Sequence, residues 1–382
     1  MLISGGNLIF PRLPMLIGMV LLCLVARGWA IEFRRNMLPV FVLLAAVLVI
    51  TVLRPEGADI ESTAIRYANF IAGILLLDLY LHAGAGALIR DLYVIGRFMA
   101  WQALITMVFA RFFNFLFIPL EISGTLYSTV LGLLNYHVMV DDVALRPDGF
   151  FYEPGVFQIY LNIFLYLTLF IFKSWPQRIL ALLAVLSTQS TTGVIIALTI
   201  ICWFIATRYI NRGSLASRVV KAGVAALVIG ALTVVTAMNI SDKFTGENQG
   251  SFWARQYDLI TGLNIIAEHP VFGIGFDYDQ YYRASSELGY ADTMLPDRIT
   301  QDRGNSNGII FLLYGIGIPL SIPFLIGMFR QNLLPDRFLV GIALFLGCFG
   351  ESLVFTPFFL MFIFSGLMMN QPVARVAQVI RS

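Results

Sequence analysis

Apolar runs of about 17 residues or more recur along the whole chain, separated by short stretches that carry its basic residues. A helix of that length crosses the hydrocarbon core of a bilayer, and such a span must satisfy every backbone polar group internally. Composition agrees, with 58% hydrophobic and only 13% charged residues, about half the charge of a soluble domain. The pattern predicts an all-α polytopic membrane protein with about 11–12 transmembrane helices. Eleven spans are read near 13–27, 37–53, 66–82, 92–118, 155–172, 175–190, 192–210, 219–238, 306–328, 337–350 and 353–370. The 92–134 region leaves room for a re-entrant piece.

Orientation follows from the basic residues between spans. Arg27, Arg34 and Arg35, then Arg90 and Arg97, Lys173 and Arg178, Arg208, Arg212, Arg218 and Lys221, and Arg330 and Arg337 all fall on one face if the spans alternate. Arg375 and Arg381 join them, so this face is expected to be cytoplasmic. The opposite face carries two long segments, 119–154 and 239–305, as loops of a single membrane domain over 1–382. In the larger loop Phe252, Leu259, Leu263 and Ile266 share one helical face, as in a helix on the membrane surface or packed on the bundle. The start of the chain lacks a basic n-region and reads as a retained first helix.

A net charge of +2 with no single basic patch argues against a nucleic-acid partner. Arginine outnumbers lysine 22 to 3 among the 25 basic residues, which suits bidentate recognition of phosphate or carboxylate, or reflects lineage preference. Cys23, Cys202 and Cys348 all lie in apolar segments, so no disulfide framework is implied and the thiols serve as small core hydrophobes.

The stretch "RPDGFFYEPGVFQ", 146–158, places charge directly before an apolar span. Pro154 suits the first turn of a helix and holds Glu153 extended, while Gly155 allows close approach to the helix start. Arg146 and, before a later span, Arg303 stand where helix starts present backbone N–H groups and the positive dipole end, a setting for an anion. Arg255 lies in the same large loop. The alternative is surface pairing with Asp148, Glu153, Asp297 and Asp302. Glu153 is a candidate base or orienting acceptor for a hydroxyl. Phe150, Phe151 and Tyr152 suit stacking on sugar rings or an interfacial belt. In "STQSTTG", 187–193, the hydroxyls cap a hairpin, and Ser190, Thr191 and Thr192 are candidates to bind phosphate or sugar. "GNSNG", 304–308, offers Asn305 and Asn307 in the same way. Glu351, an acid among apolar residues, is a functional candidate by cost alone.

"FGIGF" and "YGIGIP" lack a third glycine and a strand–helix setting, so neither is a nucleotide fingerprint. "DYD", 277–279, has no third ligand evident, and His82, His137 and His269 lack zinc spacing, so no metal is expected.

Taken in order, "RPDGFFYEPGVFQ", "LSTQSTTGVIIAL", "WARQYDLITGLNIIAEHPVFGIG" and "NSNGIIFLLYGIGIP" resemble the motifs of the O-antigen polymerase and ligase group of bacterial membrane glycosyltransferases. The resemblance covers about 146–319. It implies a C-type glycosyltransferase fold with a periplasmic cap loop, in the bacterial inner membrane, working without metal or other cofactor. It implies as partners an undecaprenyl-pyrophosphate-linked glycan donor and acceptor, the lipid bilayer, a chain-length regulator and a flippase. By position, Arg146 and Arg255 match the group's loop arginines and Glu153 its Glu-Pro acid; Arg303 is added by placement. Ligases usually open the later span with a His-Asn pair, whereas Gly304 holds that position here. The expected activity is therefore polymerisation of lipid-linked repeat units into a surface polysaccharide: O-antigen, capsule or exopolysaccharide. A ligase acting on a lipid or protein acceptor is the rival. A transporter or flippase is the rival from another class; it would show broken helices and charges at mid-bilayer depth.

Overall fold

The computed structural model describes residues 12–29, 35–53, 60–122, 125–137, 145–151, 153–209, 249–287 and 304–368, together with Arg218, Gly223 and Gly230. Among them are twelve α-helices: α1 (Arg12–Ala26), α2 (Leu38–Val52), α3 (Ile60–Ala83), α4 (Ala85–Phe112), α5 (Pro154–Leu167), α6 (Trp175–Ser187), α7 (Thr191–Phe204), α8 (Gln249–Glu268), α9 (Tyr278–Glu287), α10 (Gly308–Phe329), α11 (Arg337–Gly350) and α12 (Pro357–Leu367). Ten of the eleven expected spans coincide with helices; the span at 219–238 lies outside the described residues apart from Gly223 and Gly230. Six helices are long and apolar enough to cross a membrane and four shorter ones are apolar, so the chain is an all-α polytopic membrane protein. Proline marks several starts: Pro39, Pro154, Pro176 and Pro357 sit in the first turn of α2, α5, α6 and α12. There the missing N–H costs nothing and the fixed φ is already helical.

Most of the segment read as the 119–154 loop that is described forms a small antiparallel sheet of four strands in sequence order, β1 (Ile118–Ile122), β2 (Thr125–Val130), β3 (Leu134–His137) and β4 (Arg146–Pro147). Tyr127 opposes His137, and His137 opposes Arg146. The run 118–137 is too rich in Thr, Tyr and β-branched residues to favour helix, and Gly132 supplies the positive φ its turn needs. Phe117 and Tyr136 pack on Ala110 at the end of α4. The Tyr136 hydroxyl donates to Asn114 Oδ1 at 2.5 Å, which ties the sheet to the same end.

The contacts divide the chain into two compact units, one built around Gly86–Gln249 and a second, flanking it in sequence only, built around Pro11–Ala85 with Gly250–Val376. In the 86–249 unit α5 is the centre: it is buried over its whole length, and α6 and α7 pack on it. Gln158 and Asn162 lie inside this buried helix, and their amides bond to the Gly155 and Gly193 carbonyls at 2.8 and 3.0 Å. Hydrogen bonds to backbone are what let two amides sit in an apolar core.

In the flanking unit α12 is central, packed on α3 and α10. Helix α10 is broken at Gly317, whose φ of 77° no helix contains. The segment 270–275 fills the break. Ile274 N–H donates to Tyr314 O at 2.7 Å, Gly275 N–H to Gly315 O at 3.1 Å, and Ile318 N–H to Pro270 O at 2.9 Å. Ser321 Oγ takes the Leu312 and Gly317 carbonyls at 2.9 and 2.7 Å. A Cβ at Gly317 would overlap Val271 O, and one at Gly273 would overlap Tyr314 O. The two paired-glycine fragments thus have a shared structural purpose: they let two backbones touch at a helix break.

Candidate functional site

Two groups of predicted residues are described, one in each unit. In the 86–249 unit, β4 delivers Arg146 beside the turn between α6 and α7, where its Nε donates to Thr188 O at 3.3 Å. Two motifs that are 42 residues apart in sequence therefore meet through a guanidinium and a backbone carbonyl. The following turn is rigid. Asn135 in β3 donates through Nδ2 to Gly132 O at 3.0 Å and Gly149 O at 2.6 Å, and its side chain is wholly buried. Gly149 has a φ of 62° and its Cα faces the Phe157 ring, where a Cβ would lie 2.7 Å from Cε2. Asp148 is buried.

Glu153 is the N-cap of α5, extended at φ −144° and ψ 135°, as the following proline requires. Its carbonyl accepts from Val156 and Phe157 N–H, but its side chain makes no capping bond and is exposed. Phe151 is buried, stacked on Tyr160 with centroids 5.0 Å apart, so it belongs to the core and is not a platform for sugar. Phe150 stacks on Phe98 at 5.9 Å. Tyr152 lies outside the described residues.

The Ser/Thr turn spends most of its hydroxyls on the backbone. Ser187 Oγ donates to Ala184 O and Thr188 Oγ1 to Val185 O, both at 2.7 Å. Ser190 is the N-cap of α7, its Oγ accepting from Gly193 N–H at 3.3 Å, and it is nearly buried. Thr191 and Thr192 are half-buried in the first turn.

In the flanking unit α8 presents Tyr257, Asp258, Thr261, Gly262 and Ile265 to the interior. Of the two readings of the expected apolar face, packing on the bundle is not what these residues do: Leu263 is half exposed, and Leu259 and Ile266 are only partly covered. The difference has a physical cause. A Cβ at Gly262 would overlap Ile310 Cγ2, so the small residue brings α8 onto α10, and the polar residues buried alongside are bonded. Asp258 accepts from Ser306 N–H at 3.0 Å, Ser306 Oγ at 2.6 Å and the Tyr281 hydroxyl at 3.2 Å. Burial, and then the Asp258 charge, push the Tyr281 phenol far above its ordinary value, so it stays a donor.

The predicted pair in "GNSNG" completes this network. Asn305 Nδ2 donates to Asp258 O at 2.6 Å, and its Oδ1 accepts from Asn307 N–H at 2.8 Å. Asn307 is the N-cap of α10, and its Oδ1 accepts from Ile309 and Ile310 N–H at 3.0 and 3.1 Å. The N–H groups expected to face an anion at this helix start are therefore occupied by the chain's own amide. Asp277 in "DYD" likewise accepts from Asp279 N–H at 2.9 Å at the start of α9.

Arg255, near the start of α8, has its Nη2 3.6 Å from Glu351 Oε1, with side-chain exposures of 44% and 8%. The structure so joins two candidates that the sequence offered separately. Arg303, with Arg298, lies outside the described residues; Arg283 is exposed on α9. Sequence reading passed over Asp258 and Tyr281, because a buried acid inside an otherwise ordinary amphipathic helix has no distinctive spacing. It also passed over Arg66, which sat at the assumed edge of a span; α3 in fact starts six residues earlier, at Ile60.

No curated protein matches the chain. Residues 178–325, a stretch that holds most of α6, then α7, α8 with Arg255, and the broken first part of α10, match the family model described as O-antigen ligase, which supports the O-antigen ligase/polymerase family for this chain.

Proposed function

We propose that this protein is a glycosyltransferase that polymerises lipid-linked oligosaccharide repeat units into a surface polysaccharide. The observation that carries the reading is the family-model match over 178–325, which includes the arginine-bearing helix α8 and the turn that opens α10. Members of this family act on lipid-linked glycans. In the reaction, the bond between the sugar's anomeric carbon and the pyrophosphate oxygen breaks, and the lipid pyrophosphate leaves as an anion. An acceptor hydroxyl oxygen bonds to that carbon and gives up its proton. Arg146 and Arg255 are each assigned to phosphate oxygens of a lipid-linked substrate, where guanidinium charge stabilises the growing negative charge. Glu153, exposed and not used as a cap, is assigned to the acceptor hydroxyl, as orienting group or as the base that takes the proton. Arg303 is assigned to phosphate as well and Tyr152 to the glycan, while Ser190, Thr191, Asn305 and Asn307 each shape a helix start within their own unit. By the positive-inside rule, the basic loops support an orientation in which this chemistry faces the periplasm from the inner membrane.

A ligase is the second reading, favoured by the printed description of the matched family model; Gly304, in the place where ligases resemble one another by a histidine, favours the polymerase. The break in α10 is a feature that transporters use to bind ions, but here its carbonyls accept from residues 274, 275 and 321 of the same chain.

Purified protein in liposomes with a lipid-linked repeat unit is expected to yield a ladder of long chains. Arg146→Ala and Arg255→Ala are expected to keep membrane insertion and lose the ladder; normal ladders from both would sink the proposal. In a deletion strain, single repeats on the final acceptor mean lost polymerisation, whereas unattached polymer means the ligase reading is right.

A further inference from the structure

The β2–β3 hairpin combines features that a loop in water has no use for. Its turn, from Val130 to Leu133, closes with Leu133 N–H donating to Val130 O at 3.0 Å. Both central residues have positive φ, 54° at Leu131 and 67° at Gly132. In hairpins that geometry selects Asn-Gly or Asp-Gly, because a short polar side chain eases the left-handed conformation. A leucine there is strained, and this one is 86% exposed. Leu133 beside it is 48% exposed.

The hairpin also folds back along α4 instead of running outward from its end. Phe117 and Tyr136 pack on Ala110, and beyond them Gln102 Nε2 donates to Leu133 O. Gln102 lies ten residues before the end of α4 at Phe112, about 15 Å back along the helix axis. Helix α4 is among the six that are long and apolar enough to cross a membrane. Exposed Arg111 and Asn114 mark its polar end, so the turn lies on the membrane side of that mark.

The turn's backbone is bonded from within. Gly132 N–H donates to Thr129 Oγ1 at 2.9 Å, and Gly132 O accepts from Asn135 Nδ2 at 3.0 Å. Thr129 Oγ1 in turn donates to Asn135 Oδ1, and Asn135 and Gln102 are both buried. Five backbone groups are thus taken by the protein: Val130 O and both groups of Gly132 and Leu133. Water would satisfy such groups without help, whereas hydrocarbon cannot.

We propose that the tip of the β2–β3 hairpin is inserted in the membrane, with Leu131 and Leu133 among the acyl chains of the leaflet in which α4 ends. On the adjoining face of α4, Trp101, Ile105 and Phe112 are exposed as well, so lipid that covers that face also covers the tip. The sheet carries the consequence inward. Asn135 also donates to Gly149 O at 2.6 Å, and His137 opposes Arg146, so the embedded tip sets the height of β4. The insertion stands on its own observations; only its consequence for Arg146 as a substrate ligand rests on the proposed function.

The test uses the full chain in lipid nanodiscs, with Cys23, Cys202 and Cys348 replaced by alanine. A nitroxide is attached through Leu131→Cys or, farther from the tip on the same sheet, through Glu121→Cys. The label at 131 is expected to collide more with oxygen, which concentrates in lipid, than with a water-soluble nickel chelate. The label at 121 is expected to show the reverse order. Equal or greater access of the chelate at 131 would overturn the insertion. Spin–spin broadening at 131 that vanishes on dilution with unlabelled chain would do the same, because a second copy would then cover the tip. An independent readout keeps the native cysteines. Leu131→Asn relieves the left-handed strain, so a tip in water would gain in melting temperature. A tip in lipid takes an amide into hydrocarbon, and a lower melting temperature in nanodiscs is expected. A raised or unchanged value would refute the insertion, whether or not the cysteine-free chain folds. If the label reports lipid but Leu131→Asp still makes normal polymer, the insertion stands and its link to Arg146 falls.

Discussion

Helix α5 of the 86–249 unit starts at Glu153, Pro154 and Gly155, and helix α10 of the flanking unit starts at Asn307 and Gly308. Both follow polar stretches, and to a reader of sequence both offer an open helix start. They differ in what the polar side chains do. At α10 the Asn307 side chain takes two N–H groups, Asn305 and Ser306 bind Asp258 of α8, and the start is a closed structural joint. At α5 the N-cap carboxylate bonds none of the first-turn N–H groups and stays exposed. A side chain consumed as a cap stabilises the fold, whereas one left over is available to a ligand. The comparison therefore leaves Glu153, more than Asn305 and Asn307, as the candidate for the proposed role on substrate.

The strongest way to break this contrast is through the glycines behind each joint. Gly317→Ala puts a methyl group on the Val271 carbonyl at a positive φ, so α10 and segment 270–275 cannot both keep their backbones. A loss of about 3 kcal/mol or more is expected, seen as failure to recover monodisperse protein on size-exclusion chromatography. Gly149→Ala meets only the Phe157 ring, a side chain that can shift, and should cost less in the same assay despite its own positive φ. Equal losses would mean that the two joints are equally rigid.

Next in size is Asp258→Ala. It leaves the Ser306 N–H and the Tyr281 hydroxyl without their acceptor, at about 1–3 kcal/mol for each buried group left unsatisfied. Thermal unfolding in detergent should report it, and no change would show that α8 does not hold the α10 start.

The smallest effects sharpen the contrast most. Asn307→Ala and Ser190→Ala each remove a helix cap and should cost about 1 kcal/mol. Glu153→Ala should stay within about 0.5 kcal/mol, as for an exposed residue without a structural bond, yet reduce polymer formation. A destabilised Glu153→Ala protein with normal turnover would reverse the ranking.

The spans show how far sequence reading reached. A helix in lipid must be continuous and apolar for the full thickness of the membrane, so α2, α3, α5 and α10 announce themselves by length and hydropathy. Pro154 foretold both the start of α5 and the extended Glu153. The same reasoning missed the β1–β4 sheet, because short strands between spans carry too few residues to show their period. It also took α10 as one unbroken span, since Gly317 and Pro319 look ordinary in an apolar run whose broken backbone is repaired by residues 40 or more positions earlier.

By itself, then, the sequence determined the membrane class, the order of the helices and the residue types that suit phosphate and sugar, because burial in lipid and proline geometry act locally along the chain. Only the tertiary structure decided which of those residues are consumed in holding the fold, as Ser190, Asn305 and Asn307 are, and which meet across it, as Arg146 meets Thr188 and Arg255 meets Glu351. Hydrogen bonds and ion pairs between distant segments depend on packing, and packing is set by close approaches such as Gly262 on Ile310 that leave no periodic mark in the sequence.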